Sequence, residues 1–255
     1  MRQTILITGA SSGFGQACAH KFAQSGDTLI LVARRLDRLE HLQQELLPLC
    51  PVHIESLDVT DTNGIAEALD SLPADFRNID VLINNAGLAL GLGSAQDADL
   101  SDWDTMINTN ITAVVHMTRL ILPGMVARNR GHIVNIGSTA GSWPYPGGNV
   151  YGASKAFVQQ FSRNLRADLI GKQIRVSNIE PGMAETEFSQ VRFKQDKERA
   201  DKVYQDVKPL SAQDIADIVH WVCKVPPHVN INSLEVMPVC QAWGALAVDR
   251  GMNIT

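Results

Sequence analysis

The stretch Tyr151-Gly-Ala-Ser-Lys155 holds the residue types most ready for proton chemistry. On a helix, residues four apart lie one above the other. A phenol titrates near ~10, too high to exchange protons efficiently at neutral pH. An ammonium beside it favours the phenolate and draws that value down. A Tyr and a Lys at this spacing also occur on solvated helix faces. The meaning of the pair therefore depends on what the rest of the chain places around it.

A second chemical element stands at the other end of the chain. Residues 8–15 read Thr-Gly-Ala-Ser-Ser-Gly-Phe-Gly, after an apolar, β-branched segment Thr4–Thr8 and before a helical pattern that runs through Phe22. Glycines at 9, 13 and 15 permit a left-handed backbone and close approach of another group. A helix N-terminus offers free N–H groups and partial positive charge, so the loop reads as a pyrophosphate cradle. Its spacing is Gly-x-x-x-Gly-x-Gly. The same residues also fit Gly9-x-Ser11-x-Gly13, the nucleophile elbow of serine hydrolases. That reading requires Asp214 or Asp217 and then His220 or His228 as partners, in segments that read as a surface helix and a loop.

At the end of the second apolar strand, Thr28–Ala33, stand Arg34 and Arg35 with no Asp or Glu beside them. In dinucleotide folds an acid here bonds the 2′-hydroxyl of NAD, whereas arginine accommodates the 2′-phosphate of NADP. The expected cofactor is NADP(H).

These groups need a scaffold, and the remaining pattern supplies one. Strand-like segments at Val52–Leu57, Ile79–Ile83, Gly131–Gly137, Gln173–Ile179 and Leu234–Met237 alternate with amphipathic helical ones. The helices are expected at Leu36–Leu47, with Leu36, Leu39, Gln43, Leu46 and Leu47 as the packed stripe, at Asp61–Leu72, at Trp103–Arg128 with a break or kink at Pro123-Gly124, and over 150–170. Ser211-x-x-Asp214 signals another helix start, with Ile215, Ile218, Val219 and Val222 as its buried face. This rhythm predicts an α/β fold: a Rossmann-type, doubly wound sheet of about seven parallel strands with helices on both faces. Ligands of such sheets bind at the carboxyl ends of the strands, where the glycine loop, Asp58 and 84–87 fall. One domain is expected over 1–255, with a charged, weakly periodic insertion at 184–208.

Composition narrows the partners. The 255 residues are 45% hydrophobic with a formal net charge of −5, and there is no basic run, so nucleic acid is not expected. No charged n-region precedes an apolar core and no apolar run of membrane-spanning length is evident, so no membrane association is expected. Cys18, Cys50, Cys223 and Cys240 form no Cys-x-x-Cys pair and read as reduced thiols of a cytoplasmic protein. The seven histidines lack metal-ligand spacing, so no metal is expected.

Together these motifs resemble the short-chain dehydrogenase/reductases. The resemblance rests on Thr-Gly-x-x-x-Gly-x-Gly at 8–15, Asp58-Val59, Asn-Asn-Ala-Gly at 84–87, Asn110, Ser138, Tyr-x-x-x-Lys at 151–155 and Pro-Gly-x-x-x-Thr at 181–186, and it covers essentially the whole chain. It implies hydride transfer between a nicotinamide and a carbinol or carbonyl carbon. Tyr151 would be the acid/base, Lys155 would lower its pKa and hold the nicotinamide ribose, Ser138 would bond the substrate oxygen, and Asn110 would fix a water linking Lys155 to solvent. Gly9, Ser11, Ser12, Gly13, Phe14, Gly15, Arg34, Arg35, Asp58, Val59, Asn84, Ala86, Gly87, Pro181, Gly182 and Thr186 would line the cofactor. The resemblance also implies a homo-oligomer, a tetramer, pairing the long helices through residues such as Val114, Val115, Phe157 and Phe161.

Segments 137–152, 187–193 and 227–232 resemble the branch acting on small 3-hydroxy acids such as serine, allo-threonine or 3-hydroxyisobutyrate, or on malonic semialdehyde. Close cousins reduce sulfoacetaldehyde to isethionate. Both substrate types place an anion near the reacting carbon, which a guanidinium suits. Arg192 is the candidate contact, with Ser138, Tyr145 and Tyr151 completing the substrate site and 184–208 as a lid. Residues 185–208 hold six basic and six acidic side chains, so Arg192 as one more solvated charge is the competing reading. A non-catalytic dinucleotide-binding sensor is the remaining alternative; such a protein has no need of Tyr151 as proton donor.

Overall fold

The computed structural model describes residues 2–244. Seven strands form one sheet: β1 (Thr4–Thr8), β2 (Thr28–Ala33), β3 (Val52–Ser56), β4 (Val81–Asn84), β5 (Gly131–Ile136), β6 (Ile174–Pro181) and β7 (Ser233–Val236). Their order is β3-β2-β1-β4-β5-β6-β7, and every pairing is parallel. The chain winds outward from β1 to β3, then returns to pair β4 with β1. This reversal opens a crevice at the carboxyl ends of β1 and β4.

The strands β1, β2, β4 and β5 are buried on both faces, and alternating side chains of the sheet feed two separate cores. Ile5, Ile7, Leu29, Leu31 and Ile83 pack against α1 (Gly13–Gln24), α2 (Leu36–Leu46) and α9 (Ala212–Lys224). Leu6, Ile30, Val32, Leu82 and Ile133 pack against α3 (Thr62–Ser71), α5 (Ala113–Arg128) and α6 (Asn149–Asp168). The period-2 alternation of a strand thus becomes a three-layer molecule. On α2 the buried stripe is Leu39, Leu42 and Leu46, while Leu36 and Leu47 are exposed, so the expected stripe is shifted around the helix. The Ser211–Asp214 helix start appears as a reciprocal capping box on α9.

Of the break or kink expected at Pro123, the break does not occur: α5 continues through it. The irregularity lies earlier. The rod begins as α4 (Leu100–Ile107), passes through a π-helical turn at Asn108–Thr112 and continues as α5. At 29 residues, Leu100–Arg128 is long and apolar enough to cross a membrane by length and composition, contrary to the sequence expectation. Here Ala113, Met117, Ile121 and Met125 spend that apolarity against the sheet. The charged segment 184–208 holds two short helices, α7 (Phe188–Arg192) and α8 (Lys197–Lys202).

His132 lies within β5, 1% exposed, with Nε2 2.9 Å from Ser177 Oγ and Nδ1 without a hydrogen-bond partner. Burial, and then the Arg175 guanidinium, hold the imidazole well below its usual range. As pH falls below about 6.5 the unfolded chain takes up a proton that the folded chain refuses, so stability is lost with falling pH. Denaturant titrations from pH 7 to pH 5 should show this loss. His132→Asn should give a flatter pH dependence, by about one proton, whatever its stability at pH 7; an unchanged slope would remove His132 as a cause.

Candidate active site

The glycine loop is built against β4 before any ligand is considered. Thr8 Oγ1 donates to Ile83 O (3.3 Å) and accepts from the backbone N–H groups of Asn85 and Ala86 (3.0 Å each). Asn85 Nδ2 donates back to Thr8 O (2.8 Å) and Gly9 O (3.3 Å). Gly9 takes φ +67°, and a Cβ there would stand 2.9 Å from Asn85 Nδ2. A Cβ on Gly15 would stand 2.3 Å from Gly9 O. Gly15 therefore lets α1 seat against its own loop rather than against a ligand.

The loop opens onto a cleft of about 1540 Å³ running along the carboxyl ends of the strands. That exceeds the ~300–1,000 Å³ of common small-molecule pockets and leaves room for an extended ligand and a second, smaller one. At one end lie Ser11, Ser12, Arg34, Arg35 and Asp58; at the other lie Ser138, Tyr145, Tyr151 and Arg192. The N-terminus of α1 and the guanidinium groups suit phosphate oxygens at the first end. Arg35 donates to Ser11 Oγ through Nε (3.2 Å) and Nη2 (3.1 Å), and to Ser12 Oγ (2.9 Å). Arg34 is largely exposed, 3.8 Å from Asp58 Oδ2.

At the other end α6 presents Tyr151 and Lys155 to the cleft, and β5 delivers Ser138 opposite them. Lys155 Nζ donates to Ile136 O (2.8 Å) and lies 5.9 Å from the Tyr151 ring centroid. Burial pushes the Tyr151 phenol up to about 12, while hydrogen bonding with Ser138 works in the opposite direction. Burial also brings Lys155 down to about 8. The sequence expectation is that Lys155 lowers the phenol; in the structure burial is the larger effect and the phenol is raised.

Asn110 is buried in the π turn. Its Oδ1 accepts from Leu88 N (2.9 Å), and its Nδ2 donates to Leu88 O (2.8 Å) and Ser154 Oγ (3.0 Å). A Cβ on Gly87 would lie 3.3 Å from Asn110 Oδ1 and 3.4 Å from Lys155 Nζ, so Asn110 and Lys155 flank that glycine. The Asn110 side chain braces the 87–88 loop and α6.

Arg192, on α7, is the residue whose role the sequence left most open. Its guanidinium lies 5.4 Å from the ring centroids of both Tyr145 and Tyr151, and Nη2 donates to the Tyr145 hydroxyl. Among the described residues no carboxylate forms an ion pair with it. Phe188, one turn earlier, packs its ring 5.6 Å from that of Tyr151.

Phe14, Val59, Ala86, Gly87, Pro181, Gly182 and Thr186 also border the cleft, as the sequence predicts. Asn84 does not. Its Nδ2 donates to Thr118 Oγ1 (3.0 Å) and Asn135 Oδ1 (2.8 Å), a bridge within the structure, and the neighbouring Asn85 borders the cleft instead. Sequence reasoning missed Arg38 and Glu187. Arg38 was visible as a charge off the apolar stripe of α2; nothing in the sequence pairs it with a residue far along the chain. The elbow reading fails on geometry: Ser11 is bonded by Arg35, whereas His220 bonds Ser25 Oγ at 2.8 Å and His228 is exposed.

A family model described as short chain dehydrogenase matches residues 3–197. The chain belongs to the short-chain dehydrogenases/reductases. It is an oxidoreductase of that family. It is 54% identical over 247 residues to the NADP-dependent 3-hydroxy acid dehydrogenase YdfG of Escherichia coli K12, spanning 96% of this chain and 99% of that one. It is 52% identical over 251 residues to sulfoacetaldehyde reductase 2 of Chromohalobacter salexigens, spanning 98% and 100%. A solved structure described as the closed form of serine dehydrogenase complexed with NADP+ superposes with a TM-score of 0.94 at 54% identity, covering 96% of this chain and 99% of that one.

Removing the buried phenol should disable the chemistry. Tyr151→Phe is expected to lower kcat by on the order of 10²–10⁴-fold. Ser11→Ala should act chiefly on KM for the nucleotide. The reverse pattern in steady-state kinetics would return the nucleophile reading. In the wild type, carbonyl reduction should decline as pH rises through about 8, where Lys155 loses its charge.

Proposed function

We propose that the chain is an NADP(H)-dependent oxidoreductase that interconverts a small anionic alcohol and its aldehyde or ketone. A 3-hydroxy acid such as serine, allo-threonine or 3-hydroxyisobutyrate, or malonic semialdehyde, is the favoured substrate. The observation that carries this is Arg192: a guanidinium beside the catalytic phenol, oriented by Tyr145, with no carboxylate partner of its own among the described residues. A carboxylate on the substrate would supply that partner and set the reacting carbon near Tyr151. Sulfoacetaldehyde is the second reading, favoured by the 52%-identical reductase from Chromohalobacter, since a sulfonate meets the same guanidinium.

The cofactor reading fits the cleft. Ser11, Ser12 and the N-terminus of α1 would hold the pyrophosphate, Asp58 and Val59 the adenine, and Arg34 and Arg35 the 2′-phosphate. Gly87, Lys155, Pro181, Gly182 and Thr186 would hold the nicotinamide half. When bound there, the cofactor would supply the hydride for carbonyl reduction or accept it in carbinol oxidation. Tyr151, kept neutral by burial, donates its proton to the oxygen as charge develops there, and in the opposite direction the phenolate takes it back. Ser138 donates a second hydrogen bond to that oxygen, so the donor pair is in place before charge appears. Lys155 contributes positive charge behind the phenol and hydrogen bonds toward the ribose.

The whole of 1–255 works as one domain, with 184–208 as its substrate lid. The chain acts in the cytoplasm, in keeping with its thiols, of which Cys18, Cys50 and Cys223 are buried. It assembles as a homotetramer. Of the apolar residues expected at that interface, Val114 is buried within the chain itself and Phe157 on α6 is exposed; Leu120 on α5 and Leu100 on α4, not named from the sequence, are exposed as well.

Arg192→Ala should raise KM far more for 3-hydroxyisobutyrate, malonic semialdehyde or sulfoacetaldehyde than for a neutral aldehyde; equal effects would remove Arg192 from the site. Ranking these substrates with serine by kcat/KM decides between carboxylate and sulfonate. The kcat/KM ratio of NADP(H) to NAD(H) should favour the phosphorylated cofactor, and Arg34→Asp should lower it. Light scattering at micromolar concentration should return a tetramer; a monomer would refute the assembly.

A further inference from the structure

Arg35, which borders the glycine-loop end of the cleft, and Arg38, one helical turn further along, already hold an anion from their own chain. Glu187 Oε2 lies 3.1 Å from Arg35 Nη1, and its Oε1 lies 2.7 Å from Arg38 Nη1. One carboxylate therefore spans two guanidinium groups on the β2–α2 corner, as a phosphate would. Burial works against its charge, but the hydrogen bonds from Arg38 and Arg35 outweigh it and hold the carboxyl below its usual range. All three side chains are about two-fifths exposed, so the contact is held weakly enough to be exchanged.

The position of Glu187 in the chain gives the exchange a consequence. It immediately precedes α7, whose Phe188 packs on Tyr151 and whose Arg192 lies over Tyr145 and Tyr151. Arg192 O also accepts from Gly91 N at 3.0 Å. Two turns of chain thus run from the adenosine end of the cleft to the reacting end. Whatever holds Glu187 also sets where Phe188 and Arg192 start from.

We propose that Glu187 is an internal stand-in for the cofactor's 2′-phosphate: its carboxylate latches 186–192 to Arg35 and Arg38 until that phosphate displaces it. This rests on the NADP(H) reading and goes beyond it, making Glu187 a specificity-determining residue. A phosphate monoester carries up to two charges and more acceptor oxygens than a carboxylate, so it takes the arginine pair. An unphosphorylated ribose offers only a hydroxyl and leaves the latch closed. The identity of the nucleotide is thereby transmitted to the segment that carries the substrate-facing arginine.

Adenosine 2′,5′-bisphosphate and 5′-AMP are the probes, with binding measured by calorimetry and the state of the segment by limited trypsin digestion at Arg192, Lys194 and Lys197. The wild type should bind the bisphosphate more tightly than 5′-AMP, and the bisphosphate alone should accelerate cleavage. Glu187→Gln should tighten bisphosphate binding by roughly three- to tenfold, as expected for release of two exposed ion pairs, with a smaller change for 5′-AMP. In that variant cleavage should be fast with or without ligand, and Glu187→Ala should behave alike. Unchanged bisphosphate affinity in both variants, or protection of the wild-type segment by bisphosphate, would overturn the latch while leaving the cofactor reading intact. No preference for the bisphosphate in the wild type would overturn both.

Discussion

The clasp between Thr8 and Asn85 is the contact on which the cleft depends. It ties the end of β1 to the loop after β4 across the point where the strand order reverses. Parallel strands at a reversal diverge in their connections, because the helices that follow them lie on opposite faces. Without a tie the crevice between those loops would have no fixed width. The threonine hydroxyl and the asparagine amide each bond in more than one direction, so they set both the separation and the tilt of the two loops. The glycine at 9 and the glycine at 15 follow from this closeness. Much of the glycine pattern is thus demanded by the protein's own packing, and the free N–H groups facing the cleft are its by-product.

At the far end of the same cleft the governing effect is desolvation. Tyr151 and Lys155 are both buried, and burial moves each toward its neutral form: the phenol upward, the ammonium downward. The two shifts have opposite chemical meaning. A neutral phenol keeps its proton, whereas an ammonium near 8 stays largely charged at neutral pH. The geometry therefore favours the donor role in the resting protein. Loss of the proton to a developing alkoxide is easier than loss to solvent, because the acceptor sits inside the same dry pocket.

Local sequence carried the elements well, since strands buried on both faces and helices with one apolar stripe have separable periods. The parallel, doubly wound sheet, the strand ends to within a residue or two, and the helix start at Ser211 were legible for that reason. The stripe on α2 was misplaced because leucines occur on both of its faces, and periodicity cannot choose between Leu36 and Leu42 when both are apolar. Pro123 does not end the helix because a proline signal is local, whereas α5 is held by its packing against the sheet. Among the site residues, Tyr151, Lys155, Ser138 and the loop were readable because their chemistry is concentrated in short motifs. Asn84 and Asn85 were not separable: adjacent residues of one type alternate faces, and only the register of β4 decides which enters the cleft. Arg38 with Glu187, and Arg192 with Tyr145, are pairings between distant segments, and a charge written in the sequence does not state its partner.

The π turn at Asn108–Thr112 makes one rod behave as two. A turn of α-helix holds 3.6 residues, so each residue added or removed rotates everything beyond it by about 100° about the axis. Leu100–Ile107 and Ala113–Arg128 are consequently out of phase. Ala113, Met117, Ile121 and Met125 face the sheet, while Met106 joins Tyr151 in a separate small core. A single uninterrupted helix could satisfy one of these surfaces or the other, but not both with this spacing of apolar residues. The wide turn acts as a gear offset, and the residue at the offset is Asn110, whose amide grips the loop beside Lys155. A one-residue insertion or deletion in this rod is therefore a rotation rather than a change of length. Its first casualty would be the agreement between the layer that carries the sheet and the layer that carries the chemistry.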